Sequence, residues 1–457
     1  MDYLTDTIAA VATPYGKGGI SIVRISGPEA IEVADSVFLP HNAKSLTESS
    51  GYTMRLGSIV IDGSSIDEVI TLLFRTPHSY TGEDLVEIQC HGGPVVTEQI
   101  LRGLLNNGAR IATAGEFTRR AVINDRITLS QAEGINEIIS AVSRQGEQAA
   151  YAVSKGLLSR ETERMKQQIL TLQGTITAYI DFPEEDTEMV ELQEMEVILS
   201  ELKDSLRSLL SSYETGLVIL NGIPIAIVGS PNVGKSTIMN LLTGYEKSIV
   251  TSEPGTTRDV VEHQIRLAGV TLLLSDTAGI RSTDNLVERI GVERAYEQIE
   301  QSALILLVFD SSRPLGEDDR DLIRRLEDKQ VIAVVNKIDL EPVLDRTKIE
   351  EVFDHTVCIS ANDEQYLKPL SETIQRVIGV SEFSPELPIL INERQRQAVS
   401  LALEAVEEAK EAMDSGMTMD IIYISLDNAL YHLLQLTGEN LSETILDEVF
   451  SKFCVGK

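Results

Sequence analysis

One stretch in the middle of the chain has the residue types needed to hold a polyphosphate. Residues 229–236 read Gly-Ser-Pro-Asn-Val-Gly-Lys-Ser and fit the pattern G-x-x-x-x-G-K-[ST]. Glycines let backbone N–H groups approach an anion closely, Lys235 adds a positive charge, and the hydroxyl of Ser236 can bind Mg²⁺. A ligand-free glycine-rich turn is the alternative. The flanking strand (223–228) and helix (from Thr237) favour a phosphate-binding loop.

Two later motifs fit the recognition of a γ-phosphate and its metal ion. Asp276-Thr277-Ala278-Gly279 ends a buried strand, so Asp276 can hold Mg²⁺ through water and the Gly279 N–H can meet the γ-phosphate. Thr256-Thr257, between the first two motifs, supply the threonine of a switch segment. Ile280 stands where Ras-like proteins have the glutamine that orients water. Another side chain must do this, and the nearby candidates are Arg258, Arg281, Glu288 and Glu293.

Two further motifs fit the recognition of guanine. In Asn336-Lys337-Ile338-Asp339 the carboxylate of Asp339 can accept hydrogen bonds from guanine N1 and N2 together, which adenine cannot offer. Ser360-Ala361, after the next strand, match the loop that backs the base. Each short motif alone is usually a turn. Four of them in this order, each after a strand, predict a P-loop GTPase.

Composition restricts the class of protein. A chain of 457 residues is too long for one core, so several domains are expected. The net charge of −32 gives no surface for non-specific nucleic-acid binding, so any RNA contact needs a local patch or a basic partner. Three scattered cysteines, no membrane-spanning apolar run and no leader-like N-terminus predict a cytoplasmic protein without membrane contact.

Hydrophobic periodicity predicts three regions that position these motifs. Residues 1–121 have the pattern of an α/β domain, 122–217 with 379–457 that of a split helical domain, and 218–378 that of a doubly wound, mostly parallel sheet. The fold class is therefore α/β and all-α multidomain, with a P-loop GTPase domain inserted in a helical domain. The predicted strands are 20–25, 56–61, 68–74, 85–90, 223–228, 271–275, 303–309, 331–335 and 355–359. The predicted helices are about 95–106, 129–142, 145–178, 188–213, 393–413, 419–436 and 442–453, with an acidic break at 182–186.

The complete set of motifs resembles one family of GTPases. The loop with its internal Asn232, the run Pro254-Gly255-Thr256-Thr257-Arg258-Asp259, and Val287-Glu288-Arg289-Ile290-Gly291 are similar to the MnmE (TrmE) family of tRNA modification GTPases. N-terminal motifs also match, at residues 81–84, 91–94 and 115–121. The tail Phe-Cys-Val-Gly-Lys resembles the end of that family, with Val455 in place of isoleucine.

The resemblance implies a fold and an activity. It implies an N-terminal domain that dimerises and binds a folate, a split helical domain, and a G domain whose dimerisation activates a K⁺-dependent GTPase. It also implies a homodimer that acts with an FAD-dependent partner, MnmG (GidA). Together these modify C5 of the wobble uridine in certain tRNAs by adding an aminomethyl or carboxymethylaminomethyl group. A tetrahydrofolate such as 5-formyltetrahydrofolate supplies the one-carbon unit.

The resemblance also implies residue roles, beside which plainer readings stay open. Asn232, Thr251, Glu253 and Thr256 would hold K⁺, although Asn232 is equally well a turn residue. Glu288 would orient the attacking water, and Arg258 would be a switch residue, although an ordinary surface role suits both. The folate positions are Arg24, Glu87, Arg126 (often lysine in the family) and Lys457. Cys454 would be the thiol of the tRNA chemistry or a small hydrophobe near a chain end.

The predicted sites are then as follows. Catalytic residues are Glu288, Lys235, Arg258 and Cys454, and the Mg²⁺ ligands are Ser236 and Thr257. The GTP-binding residues are Asn232, Val233, Gly234, Lys235, Ser236, Thr237, Thr251, Ser252, Glu253, Pro254, Gly255, Thr256, Thr257, Asp276, Thr277, Ala278, Gly279, Asn336, Lys337, Asp339, Ser360 and Ala361. The rival hypothesis is a regulatory GTPase switch in ribosome assembly without modification chemistry.

Overall fold

In the computed structural model, the described residues are 6–42, 44–141, 143–181, 188–244, 263–267, 270–276, 299–300, 302–378, 384–439, 441 and 443–456. Within them, the N-terminal part forms a mixed sheet in the order β3-β4-β5-β6-β2-β1-β7. Its strands are β1 (Ile8–Val11), β2 (Ile20–Ser26), β3 (Phe38–Pro40), β4 (Thr53–Ile61), β5 (Ser64–Phe74), β6 (Leu85–His91) and β7 (Arg110–Ile111). The four strands predicted here are confirmed. Strands β1, β3 and β7 were not predicted, because two to four residues show no clear alternation.

Helices cover the two faces of this sheet differently. Helices α1 (Ala30–Val37) and α2 (Pro94–Asn106) bury one face, where inward-facing residues such as Val23 and Ile88 form the core. On the other face, α3 (Glu116–Ile123) inserts Phe117 against Ile8 and Ala10 of β1. This arrangement follows from the period of two along each strand, which sends alternate side chains to opposite faces.

The end of the chain packs against this N-terminal part. Ala114 pairs with Val455 in an antiparallel bridge, and the Gly115 N–H donates to the Cys454 carbonyl at 3.3 Å. Gly456 has φ +94°, and a Cβ there would lie 2.3 Å from the Val11 carbonyl oxygen, so only glycine fits.

A second sheet carries the predicted phosphate-binding loop. Its strands are β8 (Ile223–Val228), β9 (His263–Leu267), β10 (Val270–Asp276), β11 (Leu304–Asp310), β12 (Val331–Asn336) and β13 (Thr356–Cys358), in the order β13-β12-β11-β8-β10-β9. All neighbouring strands are parallel except β9, which pairs antiparallel with β10 at the edge. The five predicted strands are confirmed, and the sheet is the mostly parallel one expected.

Helices bury both faces of this second sheet. Helices α8 (Lys235–Gly244) and α11 (Leu367–Val377) pack on one face, and α9 (Glu317–Leu326) and α10 (Thr347–Glu350) contribute to the core on the other. Every residue of β11 and β12 is buried, which explains their nearly continuous apolar sequence. Because parallel strands end at the same sheet edge, this topology gathers the loops after β8, β10, β11, β12 and β13.

The remaining long helices largely match the predicted helical regions. They are α4 (Leu129–Ser140), α5 (Arg144–Ser154), α6 (Leu157–Asp181), α7 (Glu188–Asn221), α12 (Glu393–Asp414), α13 (Met419–Thr437) and α14 (Glu443–Ser451). The prediction of one continuous helix over 145–178 was wrong. Gly156, at φ +78°, ends α5, and Gln131 donates to the Ser154 carbonyl at 3.1 Å beside this break. The acidic run 182–186 lies outside the described residues.

The chain divides into two compact units. One comprises Met1–Asn136, Ser154–Leu202 and Leu401–Lys457, and contains the N-terminal sheet with helices such as α6 and α13. The other comprises Glu137–Val153 and Lys203–Ser400, and contains the mostly parallel sheet. The domain limits 1–121, 122–217 with 379–457, and 218–378 stay predictions. No helix among the described residues combines the length and apolarity that crossing a membrane requires.

Candidate functional site

The predicted phosphate-binding loop connects β8 to α8, as its sequence requires. Gly234 has φ +101°, and a Cβ there would lie 2.2 Å from Nδ2 of Asn336. A Cβ on Gly229 would lie 2.5 Å from the carbonyl oxygen of Val308. Both glycines of the motif are therefore needed for close approach of neighbouring groups as well as for the shape of the loop.

Lys235 lies folded over its own loop. Its Nζ donates to the carbonyls of Gly229 at 2.9 Å and Ser230 at 3.1 Å. Ser236 and Thr237 follow in the first turn of α8, where Ser236 is exposed. The arrangement leaves a helix N-terminus, with its positive end of the helix dipole, facing the loop.

Asn336 joins the phosphate loop to the loop that was predicted to back the base. Its Nδ2 donates to the Val233 carbonyl at 2.8 Å, and its Oδ1 accepts from the Ala361 N–H at 3.0 Å. Asn336, Ser360 and Ala361 are all buried. One amide side chain thus joins the phosphate loop to two motifs that follow it by more than a hundred residues along the chain.

Lys337 makes a second connection to the phosphate loop. Its Nζ donates to the Asn232 carbonyl and to Oδ2 of Asp310, each at 2.7 Å. Asp310 ends β11 and is 8% exposed. Burial alone would raise the pKa of Asp310, but hydrogen bonds from Lys337 and Ser312 outweigh it and hold this pKa below its ordinary value.

The remaining described nucleotide-site residues differ in exposure. Asp339 is exposed on the turn after β12, where its carboxylate is open to a ligand. Asp276 ends β10, and its backbone is in register with Ile227 near the end of β8. The end of β10 therefore lies at the same sheet edge as the start of the phosphate loop. Asn232 has φ +61°, a conformation that asparagine tolerates well, so its presence has a backbone explanation.

Two of the predicted folate residues form an ion pair on the N-terminal sheet. Arg24 of β2 and Glu87 of β6 are directly opposite in register, and both Nε and Nη2 of Arg24 donate to Oε1 of Glu87, at 2.9 and 2.7 Å. The guanidinium lies 5.4 Å from the ring centroid of Tyr80 and 5.6 Å from that of Phe117. Burial raises the pKa of the Tyr80 phenol, although its hydrogen bond with Thr118 and the Arg24 charge act in the opposite direction.

The chain end reaches the same place. Nη1 of Arg24 donates to the carbonyl of Gly456 at 3.1 Å. Nε of Arg126 donates to the carbonyl of Ser79 at 3.2 Å. Ser79 is the chain neighbour of Tyr80, whose ring lies beside Arg24. Cys454 is exposed, and its backbone pairs with Gly115. The structure therefore brings Arg24, Glu87 and the tail together, while Arg126 contacts the backbone next to Tyr80.

The comparisons with known proteins cover both the nucleotide-binding loops and the N-terminal site. A family model described as "MnmE helical domain" matches residues 129–454, and one described as "GTP-binding protein TrmE N-terminus" matches residues 7–126. The chain belongs to the MnmE family. Proteins named tRNA modification GTPase MnmE are 38% identical in Acetivibrio thermocellus and 37% in Clostridioides difficile, each over all of both chains. One from Thermoanaerobacter pseudethanolicus is 40% identical over 99% of each.

Several of the predicted site residues lie outside the described part of the chain. They are Thr251, Ser252, Glu253, Pro254, Gly255, Thr256, Thr257, Arg258, Thr277, Ala278, Gly279, Glu288 and Lys457, together with Ile280. Their roles stay predictions. The described part of the MnmE-type nucleotide site therefore consists of the phosphate loop, Asp276 at a strand end, and the two loops around the base.

Sequence reasoning missed some residues of both sites. Asp310 ends an apolar strand, and that position on the binding edge of a parallel sheet was the available signal. Asp319, which accepts a hydrogen bond from Ser230, belongs to an acidic helix start that reads as solvent-exposed. Tyr80 and Phe117 gave no signal, because only the fold brings them to Arg24.

Proposed function

We propose that this chain is the GTP-hydrolysing component of a system that modifies C5 of the wobble uridine in tRNA. The observation that supports it most is that Asn336 hydrogen-bonds to Val233 and to Ala361, which joins three GTPase motifs into one guanine-nucleotide pocket. The chain that carries this pocket matches tRNA modification GTPases over their whole length. An FAD-dependent partner of the MnmG type completes the system. Because this chain carries a net charge of −32, much of the affinity for tRNA comes from that partner.

The pocket binds GTP through groups with distinct tasks. Asp339 accepts from guanine N1 and N2, while Ser360 and Ala361 lie behind the base. When GTP binds, the Lys235 ammonium exchanges the loop carbonyls of Gly229 and Ser230 for phosphate oxygens. These interactions hold the nucleotide in place but do not activate water.

Hydrolysis requires a positioned water and neutralised phosphate charge. Ser236 and Thr257 would hold Mg²⁺, which Asp276 would bind through water, and Asn232, Thr251, Glu253 and Thr256 would hold K⁺. Bound cations reduce the negative charge that develops on the phosphates. Glu288 orients the attacking water, and Arg258 is a switch residue.

The N-terminal site is proposed to bind tetrahydrofolate. Glu87 gives only its Oε1 to Arg24, and among the described contacts its Oε2 accepts no hydrogen bond, so it is open to a pterin amino group. Arg126 and Lys457 supply charge for the folate carboxylates. Cys454 is exposed and serves the tRNA chemistry.

An exposed apolar surface supports the proposed homodimer. Met54 and Leu56 of β4 are 63% and 47% exposed, and they pair with Leu72 and Ile70 on the same face of the N-terminal sheet. Contiguous apolar side chains on a sheet face are a common feature of protein interfaces. We propose that a second copy of the chain covers this face.

Nucleoside analysis of tRNA tests the proposed function. Cells that lack this chain are expected to lose the C5 substituent on wobble uridines, and a plasmid-borne copy should restore it. A copy carrying Lys235→Ala, which lacks the phosphate-binding charge, should not restore it. Unchanged wobble uridines in the deletion strain would refute the modification role and favour a GTPase with another task.

Replacing Na⁺ by K⁺ is expected to raise the rate of GTP hydrolysis about 10-fold or more, because a bound cation stabilises the phosphate charge of the transition state. Asn232→Gly should abolish this gain, since it removes the side-chain ligand yet permits the φ of +61°. The measurement is phosphate release at matched ionic strength. Equal rates in the two salts, or an undiminished gain in Asn232→Gly, would contradict the proposed K⁺ ligand.

Glu87→Gln is expected to weaken binding of 5-formyltetrahydrofolate about 10- to 100-fold, because it loses a charged acceptor for the pterin. Calorimetric titration of the full chain measures this. Glu98→Gln, on the exposed face of α2, is the matched control and should bind like the unsubstituted chain. If the unsubstituted chain bound no folate, the proposal for this site would be wrong.

A further inference from the structure

The phosphate loop is held by a carboxylate outside the nucleotide motifs. Ser230, the second residue of the loop, donates its hydroxyl hydrogen bond to Oδ1 of Asp319, and both residues are 3% exposed. Asp319 lies in the first turn of α9. Because Leu322 and Leu326 of this helix are buried in the core against the sheet, Asp319 has a fixed position relative to β8 and the loop.

The other hydrogen bonds of Asp319 fix its orientation. Its Oδ2 accepts from the Gly316 N–H at 2.9 Å, which caps α9, and Nη2 of Arg313 lies 3.4 Å from its Oδ1. A buried carboxylate with such partners is a rigid and strong acceptor. Ser230 therefore bonds to a group that does not need to move when a nucleotide arrives.

A second contact holds the same loop two residues further on. The Asn232 carbonyl accepts from Lys337, which Asp310 holds at 2.7 Å. Asp310 is the last residue of β11, and Asp319 lies in the first turn of α9, so both belong to the segment 310–319. This segment thus restrains the loop at both Ser230 and Asn232, on either side of Pro231.

We infer that Asp319 is a positioning residue for guanine-nucleotide binding, and that it acts by holding Ser230 so that the phosphate loop is preformed before GTP or GDP enters. The inference rests on the proposed function. A preformed loop binds more tightly because less conformational freedom is lost on binding. Loss of the Ser230–Asp319 bond should therefore show as faster nucleotide release.

A double-mutant cycle on the full-length chain tests this inference. The probe is N-methylanthraniloyl-GDP, and its dissociation rate is measured by fluorescence. Ser230→Ala and Asp319→Ala are each expected to raise that rate about 10-fold, the effect of losing one hydrogen bond to a charged group. The double variant should also release the probe about 10-fold faster, not 100-fold, because both changes remove one contact.

Two controls separate positioning from stability. Asp319→Ala also removes the cap of α9, whereas Ser230→Ala keeps the cap, so Ser230→Ala carries the test if thermal denaturation shows that Asp319→Ala is unstable. Ser230→Thr keeps the hydroxyl and should restore slow release. Asp321→Ala removes an exposed carboxylate of the same helix, which pairs with Arg324 and Arg325, and should leave release unchanged.

The outcomes are distinct. Unchanged release from Ser230→Ala, or multiplied effects in the double variant, would overturn the inference while the unsubstituted chain still bound the probe. Failure of the unsubstituted chain to bind N-methylanthraniloyl-GDP would instead refute the proposed function and this inference with it. Faster release from both single variants without further change in the double variant is the result that supports it.

Discussion

Asp339→Asn is expected to change the preferred base of this protein from guanine to xanthine. A carboxylate accepts from guanine N1 and N2, whereas an asparagine amide also donates and so matches the C2 carbonyl of xanthine. We expect affinity for GTP to fall on the order of 10⁴-fold, because the hydrogen-bonding groups of the base lose their partner. Affinity for XTP should rise correspondingly, as measured by competition against a fluorescent nucleotide.

The position of Asp339 allows this substitution without a change in the buried part of the pocket. Asp339 is exposed on the turn after β12, so its replacement leaves the buried Asn336 and the hydrogen bond from Asn336 to the phosphate loop in place. Glu341→Gln removes another exposed carboxylate of the same turn region and should leave the GTP preference intact. Retention of GTP affinity in Asp339→Asn, without gain of XTP binding, would show that the base is read elsewhere.

The nucleotide motifs could be predicted to converge because of one rule of topology. Each follows a strand, and parallel strands end at a common edge, so residues as distant as Val233 and Asn336 were expected at the same edge. The hydrogen bond between them could not be predicted, since it depends on the rotamer of one amide. Asp319 shows the same limit more strongly. Its acidic surroundings indicate a solvated helix start, and only packing of α9 makes it 3% exposed.

The N-terminal site was predicted through resemblance, and the fold adds an interaction that the motifs do not contain. Arg24 and Glu87 were expected to contact a ligand separately, yet the register of β2 and β6 places them opposite each other. Their 2.7 Å ion pair uses Oε1 of Glu87, and among the described contacts its Oε2 accepts no hydrogen bond. Strand register depends on the whole sheet, and so it cannot be derived from either strand alone.

The break between α5 and α6 was missed because the hydrophobic periodicity of the sequence outweighed the local signal of Gly156 in the prediction. The sequence 145–178 has apolar residues at helical spacing on both sides of Gly156, which favours one continuous helix. Glycine is a weak helix former, and at φ +78° it instead ends α5. The neighbouring Gln131 then occupies the space that a side chain at position 156 would need, because a Cβ there would lie 3.2 Å from its Nε2.

Glu288→Ala is expected to reduce the rate of GTP hydrolysis about 10²- to 10³-fold, the typical cost of losing one group that acts only in the transition state. GTP binding should persist, because Lys235 and Asp339 make contacts that exist in the ground state. Single-turnover hydrolysis with GTP bound to excess protein measures the chemical step directly. A fluorescent-nucleotide titration on the same variant checks that binding is kept.

The comparison between variants decides which residue orients the water. Ile280 cannot do so, since its side chain forms no hydrogen bonds, and the competing groups near it in sequence are Arg258, Arg281, Glu288 and Glu293. Glu293→Ala should hydrolyse GTP nearly as fast as the unsubstituted chain, and so should Glu300→Ala, which removes an exposed carboxylate paired with Lys329. Normal turnover in Glu288→Ala with a large loss in Glu293→Ala would move the role by five residues. A loss in Arg258→Ala alone would mean that charge stabilisation, and not water orientation, limits the reaction.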